Sequence, residues 1–379
     1  SGSAPEKGLI TAIIGGLFVS LLGGSRVQIG GPTGAFIVVV FSVIMNHGYD
    51  GLVVATFMAG IVLLFAGYFR AGRLIALVPE AVVNGFTIGI GVIIATSQIK
   101  DFFGLAIANL PVDFFEKLPE LWSARETSNL SSVIVAVTTL LLIIFLRKIA
   151  PRFPGLILAV AAGSYLSIHL DTPVDTIASR FGELPSQLPY PSIPQVTVER
   201  IIELFPSAMI IAFLAGVESL LSAMVADRMI AGKHRPSAEL LAQGVANLAS
   251  SLFGGMPATG AIARTATNVN AGGKTPVAGI VHAIVVLLIM VVATPLVGYL
   301  AMPALAALLV LTAWNMSEPH KWRDYTKTNN TDKALLLITL VLTVTVDLTV
   351  AIGMGVALGL ALKLIESNNA KTDWNPPER

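Results

Sequence analysis

The 379-residue sequence has no cysteine and few charges, 12% in all, where an ordinary soluble domain carries about 25%. Without cysteine there is no disulfide framework and no thiolate metal site. A net charge of +1 argues against nucleic acid as a partner. Histidines are equally scarce. His47, His169, His234 and His320 fall at run ends or in loops, only His282 lies inside an apolar run, and no His/Asp/Glu spacing resembles a metal site. No cofactor is expected. No signal peptide is visible at the start of the chain.

What is present is apolar: 54% of residues are hydrophobic and the mean hydropathy is +0.79. The charges crowd into short gaps between long apolar runs, the pattern of a helical protein that crosses the membrane many times. Spans are expected at 8–22, 32–46, 51–69, 79–99, 130–146, 155–170, 205–224, 237–253, 260–270, 275–294, 301–315, 333–346 and 348–365. Two of them, 32–46 and 260–270, are too short to cross a hydrocarbon core about 30 Å thick as helix alone. Amphipathic stretches at 111–122 and 197–203 read as interfacial helices. Gly85, Gly89 and Gly91 read as a helix-packing surface rather than a nucleotide loop.

Basic residues occupy alternate loops: Arg70 and Arg73; Arg147, Lys148 and Arg152; Arg228, Lys233 and Arg235; then Lys321, Arg323, Lys327 and Lys333. The intervening loops are acidic, with Asp101, Asp113, Glu116, Glu120 and Glu126 in one and Asp171, Asp175, Glu183, Glu199 and Glu203 in another. The positive-inside rule puts the basic loops and the C-terminal tail in the cytoplasm and residue 1 outside. An outside start suggests a further helix before Ser1.

An internal repeat agrees with this. "LLGGSRVQIGGPTGAFI" (Leu21 to Ile37) is echoed by "SLFGGMPATGAIA" (Ser251 to Ala263), with Thr33-Gly34-Ala35 aligned to Thr259-Gly260-Ala261. The two copies have opposite topology, and inverted repeats that meet near mid-membrane mark secondary transporters. Non-helical backbone at membrane depth is tolerated only where it is buried in protein or lines a cavity. Residues 26–32 and 255–260 therefore read as extended crossings, the first leading to a half-helix that starts at Pro32 or Thr33. Two half-helix N-termini then face each other with free N–H groups and positive dipole ends, which favours an anion. Arg26 reads as the cytoplasmic edge.

Arg264 lies one turn into the second half-helix, where a charge is costly. It would add positive field to the anion site; the alternatives are snorkelling to an interface or pairing with Glu218. Glu218 is expected to be the only acidic residue well inside a long span, with Ser222 on the same face at i+4. Three roles stay open for it: holding Na⁺ together with Ser222, carrying a proton, or neutralising Arg264. Asp347 reads as a loop charge between two closing spans. An intramembrane enzyme would need paired carboxylates or a Ser/His pair at depth, which the sequence lacks, so no catalytic residue is expected. A nucleobase carrier would want a second carboxylate on the later half-helix, and Arg264 argues against it.

The chain resembles the SulP (sulfate permease) family. The resemblance rests on "SAPEKGLITAIIGG", "LLGGSRVQIGGPTGAF", "VPEAVVNGFTIGIG", "GVESLLSAMVAD" and "GGMPATGAIARTATNVNAGGKTPVAGI", and runs from about residue 4 to 366. It implies an all-α polytopic membrane protein with a 7+7 inverted repeat of the uracil-permease type. A core domain would move against a gate domain as an elevator, and two half-helices would each follow a short extended segment. It implies a transport domain over 1–366, with 367–379 beginning a linker to a STAS domain, and a helix preceding Ser1. Thr33, Gly34 and Ala35 would form one side of the anion site, and Thr259, Gly260, Ala261, Ile262, Ala263 and Arg264 the other. Glu218 and Ser222 would take the positions that hold Na⁺ or a proton. The sequence departs from sodium-coupled bicarbonate members, which look to have Asp and Thr where Glu218 and Ser222 stand, and from members with hydroxyls at Ala261, Ile262 and Ala263. Proton coupling is favoured by that departure. The implied activity is secondary transport of sulfate, bicarbonate or a C4-dicarboxylate, coupled to H⁺ or Na⁺ or by exchange, in a homodimer in the plasma membrane of a bacterium. An uncoupled anion channel and a nucleobase transporter of the same fold are the alternatives.

Overall fold

Apolar runs bounded by proline, glycine and capping residues fold as helices because helix alone satisfies every backbone group within one segment. A computed structural model of the chain describes residues 3–361 except 73–78, 109, 112, 151–154, 347–349, 352, 356 and 360. In chain order the first half holds α1 (Pro5–Leu22), strand β1 (Gly30–Gly31), a 3₁₀ turn (Gly34–Phe36), α2 (Ile37–Tyr68), α3 (Glu80–Phe103), α4 (Phe114–Ser123), α5 (Leu130–Ile149), α6 (Gly155–Ser167) and α7 (Ile177–Phe181). The second half holds α8 (Val198–Ile230), α9 (Pro236–Leu252), β2 (Thr259–Gly260), α10 (Ile262–Asn270), α11 (Val277–Val292), α12 (Thr294–Gly298), α13 (Met302–Met316), α14 (Trp322–Tyr325) and α15 (Asn330–Thr345). Among the described residues α1, α2, α3, α5 and α8 are each long and apolar enough to span a membrane, and α6, α11 and α13 are shorter apolar helices. Arg73, Arg152, Asp347, half of the span expected at 348–365 and the segment 367–379 lie outside the described residues.

Two expectations change and one holds. The spans expected at 32–46 and 51–69 are separate helical stretches of α2 that meet at a kink at Gly48, whose φ of 71° and ψ of 176° are non-helical and open to glycine at no steric cost. The interfacial helix expected at 197–203 is the first two turns of α8, which is about 50 Å long and overreaches the hydrocarbon core. Thr197 caps it by accepting from the Arg200 N–H at 3.3 Å. Pro206 stands inside without ending the helix, since extending a formed helix costs far less than nucleating a second. The half-helices also start later than expected, at Gly34 and Ile262, because the residues before them are committed to a strand pair. The amphipathic α4 covers the stretch expected at 111–122 from Phe114 onward and is capped by the Asp113 carboxylate.

The helices divide into two groups. α1, α2, α8, α9, α10 and α11 pack around the β1–β2 pair, while α3, α5, α6, α13 and α15 pack on one another. The groups meet where Ala35 and Phe36 join Phe86, Ile90, Ile94 and Ala313 in one apolar cluster. Within the second group Gly85 and Gly89 seat α3 against α15. A Cβ on Gly85 would lie 2.3 Å from the Leu336 carbonyl oxygen, and one on Gly89 would lie 2.7 Å from Thr343 Cβ. Gly91 seats α3 on the Ala313 carbonyl of α13. Gly89→Val is expected to lower the melting temperature in detergent by about 5 °C, the effect of one overpacked contact, as read by scanning fluorimetry.

Candidate functional site

The two sequence repeats meet at their extended crossings. β1 and β2 pair antiparallel, with Gly30 opposite Gly260 and Gly31 opposite Thr259. The Ala261 N–H donates to the Ile29 carbonyl at 2.9 Å and extends the pairing toward the second half-helix. This satisfies backbone that could find no water at that depth. Close approach requires glycine. A Cβ on Gly30 would sit 2.6 Å from Val19 Cβ, and Gly31, at φ 141°, would place one 2.6 Å from Arg264 Nη1. Thr33 directly precedes the first half-helix and Ala261 the second.

Neither half-helix is capped by a side chain. The first N–H groups of each have no intrahelical acceptor, and they carry the positive end of the helix dipole. Arg264, one turn into α10, reaches across to the other repeat. Its guanidinium donates to the Gly30 carbonyl at 3.4 Å and to the Pro32 carbonyl. The Thr33 hydroxyl donates to Glu218 Oε2 at 2.9 Å, tying the first half-helix to α8. Arg264 and Glu218 lie within electrostatic reach of each other, but no direct ion pair joins them among the described ones.

The other expected residues separate by environment. Ser222 is fully buried and its hydroxyl donates to Thr265 Oγ1 at 3.2 Å, away from Glu218. Thr265 Oγ1 also accepts from the Ile29 N–H at 3.1 Å, so Ser222 braces the crossing. Thr259 is buried with its hydroxyl on the Ala215 carbonyl at 2.9 Å. Gly34 faces Ile94 of α3; Ala35 and Ala261 are buried, Ile262 is half-buried and Ala263 is exposed. Arg26 is exposed.

Sequence reasoning missed a second buried carboxylate. Glu239, in the first turn of α9, is 0% exposed, so Glu218 is not alone inside the helices. Its Oε2 accepts from the Gly24 and Ser25 N–H groups at 2.8 and 3.3 Å, and its Oε1 accepts from the Ser219 hydroxyl at 2.6 Å and Gln243 Nε2 at 3.0 Å. Asn247, one turn further, donates to the Ala258 carbonyl at 2.9 Å and accepts from its N–H at 2.9 Å, holding the approach to β2. The signal was present: Glu239, Gln243 and Asn247 recur every four residues, a polar stripe along one face of an otherwise apolar helix.

This geometry defines a class: a multi-pass integral membrane protein whose inverted repeats bring two half-helix N-termini together inside the bundle. The chain belongs to the sulfate permease family, whose pattern matches residues 1–339. Members of that family are transporters, not enzymes. The chain is 42% identical over 343 residues to YvdB of Bacillus subtilis (strain 168), named for sulfate transport, which covers 90% of this chain and 65% of that protein. It is 30% identical over 322 residues to the bicarbonate transporter BicA of Picosynechococcus sp. (strain ATCC 27264 / PCC 7002 / PR-6), covering 81% of this chain and 56% of BicA. It therefore spans less than two thirds of the length of either relative. The transmembrane domain of a cyanobacterial BicA superposes with a TM-score of 0.81 at 27% identity over 92% of this chain and 90% of that one. The fold is the helical 7+7 inverted repeat of that group.

Proposed function

We propose that this chain is the transport domain of a secondary anion transporter. The anion sits between Thr33 and Gly34 on one side and residues 260–264 on the other, against unpaired N–H groups and two dipole ends. The observation that carries this reading is Arg264, a guanidinium anchored on the carbonyls of Gly30 and Pro32 exactly where the two half-helices begin. A half-buried cation held by backbone carbonyls, with no direct ion pair to Glu218 among the described ones, leaves field for a ligand. The names of the relatives point to tetrahedral or planar oxyanions, and sulfate, bicarbonate and C4-dicarboxylates are the substrates to test. The membrane is the plasma membrane of a bacterium, with the basic loops and C-terminal tail in the cytoplasm.

An elevator movement fits the division of the helices into a group that carries the β1–β2 pair and a group that does not. The small-residue contact of Gly34 with Ile94 lies on the surface that would slide. For coupling, H⁺ is favoured over Na⁺. The Ser222 hydroxyl faces Thr265 and Glu218 faces Thr33, so a Na⁺ ion shared by both would have to redirect each side chain. A proton needs only Glu218.

Uptake of radiolabelled sulfate, bicarbonate and fumarate into proteoliposomes, with pH and Na⁺ gradients varied independently, tests the reading. No accumulation of any of the three would overturn it. Glu218→Gln keeps the bond from Thr33 while fixing the side chain as neutral. It is expected to abolish stimulation by a pH gradient and leave a basal exchange flux; stimulation that persists would remove Glu218 from coupling.

A further inference from the structure

The buried group around Glu239 has a direction that the anion site itself does not require. The two Glu239 oxygens accept four hydrogen bonds and donate none. Because Ser219 must donate to Glu239, both lone-pair positions of its oxygen are left as acceptors. They are filled by Gln28 Nε2 and Gln243 Nε2, each at 2.7 Å. The remaining Gln28 N–H goes to the Ser219 carbonyl at 3.2 Å, and the remaining Gln243 N–H goes to Glu239 itself. Every donor of these three side chains, Ser219, Gln28 and Gln243, is committed and the end acceptor orders the bonds, while the Oε1 atoms of Gln28 and Gln243 have no partner among the described residues.

Gln28 carries this order to the crossing. It is 2% exposed, and its Nε2 occupies the space beside Gly260, only 1.6 Å from where a Cβ on that glycine would stand. Ile29, the next residue, binds Thr265 through its N–H and Ala261 through its carbonyl. Ser219 itself follows Glu218 in α8. On the other side, the two N–H groups held by Glu239 belong to the turn that leads from α1 into β1.

Building on the anion-site reading above, we propose that Glu239 is a positioning residue for that site. Acting through Ser219 and Gln28, it fixes the β1–β2 crossing, and with it the separation of the half-helix starts and the seat of Arg264. Glutamine replaces it only by disturbing this order. A carboxamide oriented with its oxygen toward Ser219 turns its NH₂ on the Gly24 and Ser25 N–H groups, and the opposite orientation sets NH₂ against the Gln243 donor unless that amide turns over to offer its unpartnered Oε1.

Glu239→Gln, Ser219→Ala and the double variant are compared in the reconstituted full chain. Uptake kinetics with sulfate and bicarbonate are read alongside hydrogen exchange of peptides covering 24–31 and 259–265. Glu239→Gln is expected to speed exchange in those peptides and raise KM about ten-fold with the maximal rate within about two-fold. Ser219→Ala moves both in the same direction by less, and the double variant is no worse than Glu239→Gln because the two act in series. Unchanged KM in folded Glu239→Gln overturns the proposal, as does unchanged exchange or a double variant in which the two KM effects multiply. If Glu239→Gln does not fold, Ser219→Ala decides alone, with unchanged KM the refuting result. Arg264→Ala in the same preparation separates the underlying reading: if its uptake is intact the anion site is wrongly located, whatever the exchange data say.

Discussion

Arg264→Ala is expected to reduce anion uptake at least about 100-fold in proteoliposomes matched for protein content, because it removes the fixed cation and two charge-assisted bonds together. The Gly30 and Pro32 carbonyls lose their donor, and the field at the half-helix starts falls to that of the dipoles alone. Arg264→Lys separates the two contributions. Its ammonium restores the charge but lacks the planar fork that spans two carbonyls, so part of the uptake and a higher KM are expected. Uptake of Arg264→Ala within about two-fold of the wild type would show that the guanidinium is only a structural tie.

Gly30→Ala is expected to prevent assembly of the core. The added carbon would stand 2.6 Å from Val19 Cβ, 2.7 Å from its Cγ2 and 2.8 Å from its Cγ1, and a β-branched side chain in a helix has no other rotamer to retreat into. Overpacking of this kind costs about 3 kcal/mol even where the backbone can yield, and here β1 is pinned by its pairing with β2. Size-exclusion chromatography in detergent should give aggregate instead of a single peak. Val19→Gly in the same chain removes the opposing carbon and should recover part of the folded peak, less about 1 kcal/mol for glycine inside a helix. A well-folded, active Gly30→Ala single variant would mean that the two crossings do not approach as closely as described.

The residues that sequence reasoning found are those whose oddity is local. An arginine, a glutamate and two Gly/Pro breaks inside apolar runs are conspicuous wherever they fold, because lipid has no water to satisfy them. Thr33, Glu218 and Arg264 were legible for that reason. Glu239 was not, because an acid in the first turn of a helix beside basic loop residues looks like an ordinary solvated dipole partner. Only the turn at Gly24 and Ser25, brought from the other repeat, buries it. Ser222 shows the converse: i+4 spacing put it on the face of Glu218, yet Thr265 from α10 claims its hydroxyl. The boundary expected before Pro206 was also misread, since a proline inside a continuing helix costs less than a new nucleus would, whereas Gly48 is a true break.

By itself the sequence determined a helical membrane protein with two inverted, glycine-broken crossings and one arginine and one glutamate at depth. These follow from what each residue costs in lipid, which does not depend on its neighbours. The tertiary structure decided who meets whom. Thr33 and Glu218 are 185 residues apart, and Arg264 and Pro32 are 232 apart. The pairing of Gly30 with Gly260 and of Gly31 with Thr259 spans a similar distance. Such contacts are chosen by the packing of whole helices against one another, and no local pattern of residues encodes that choice.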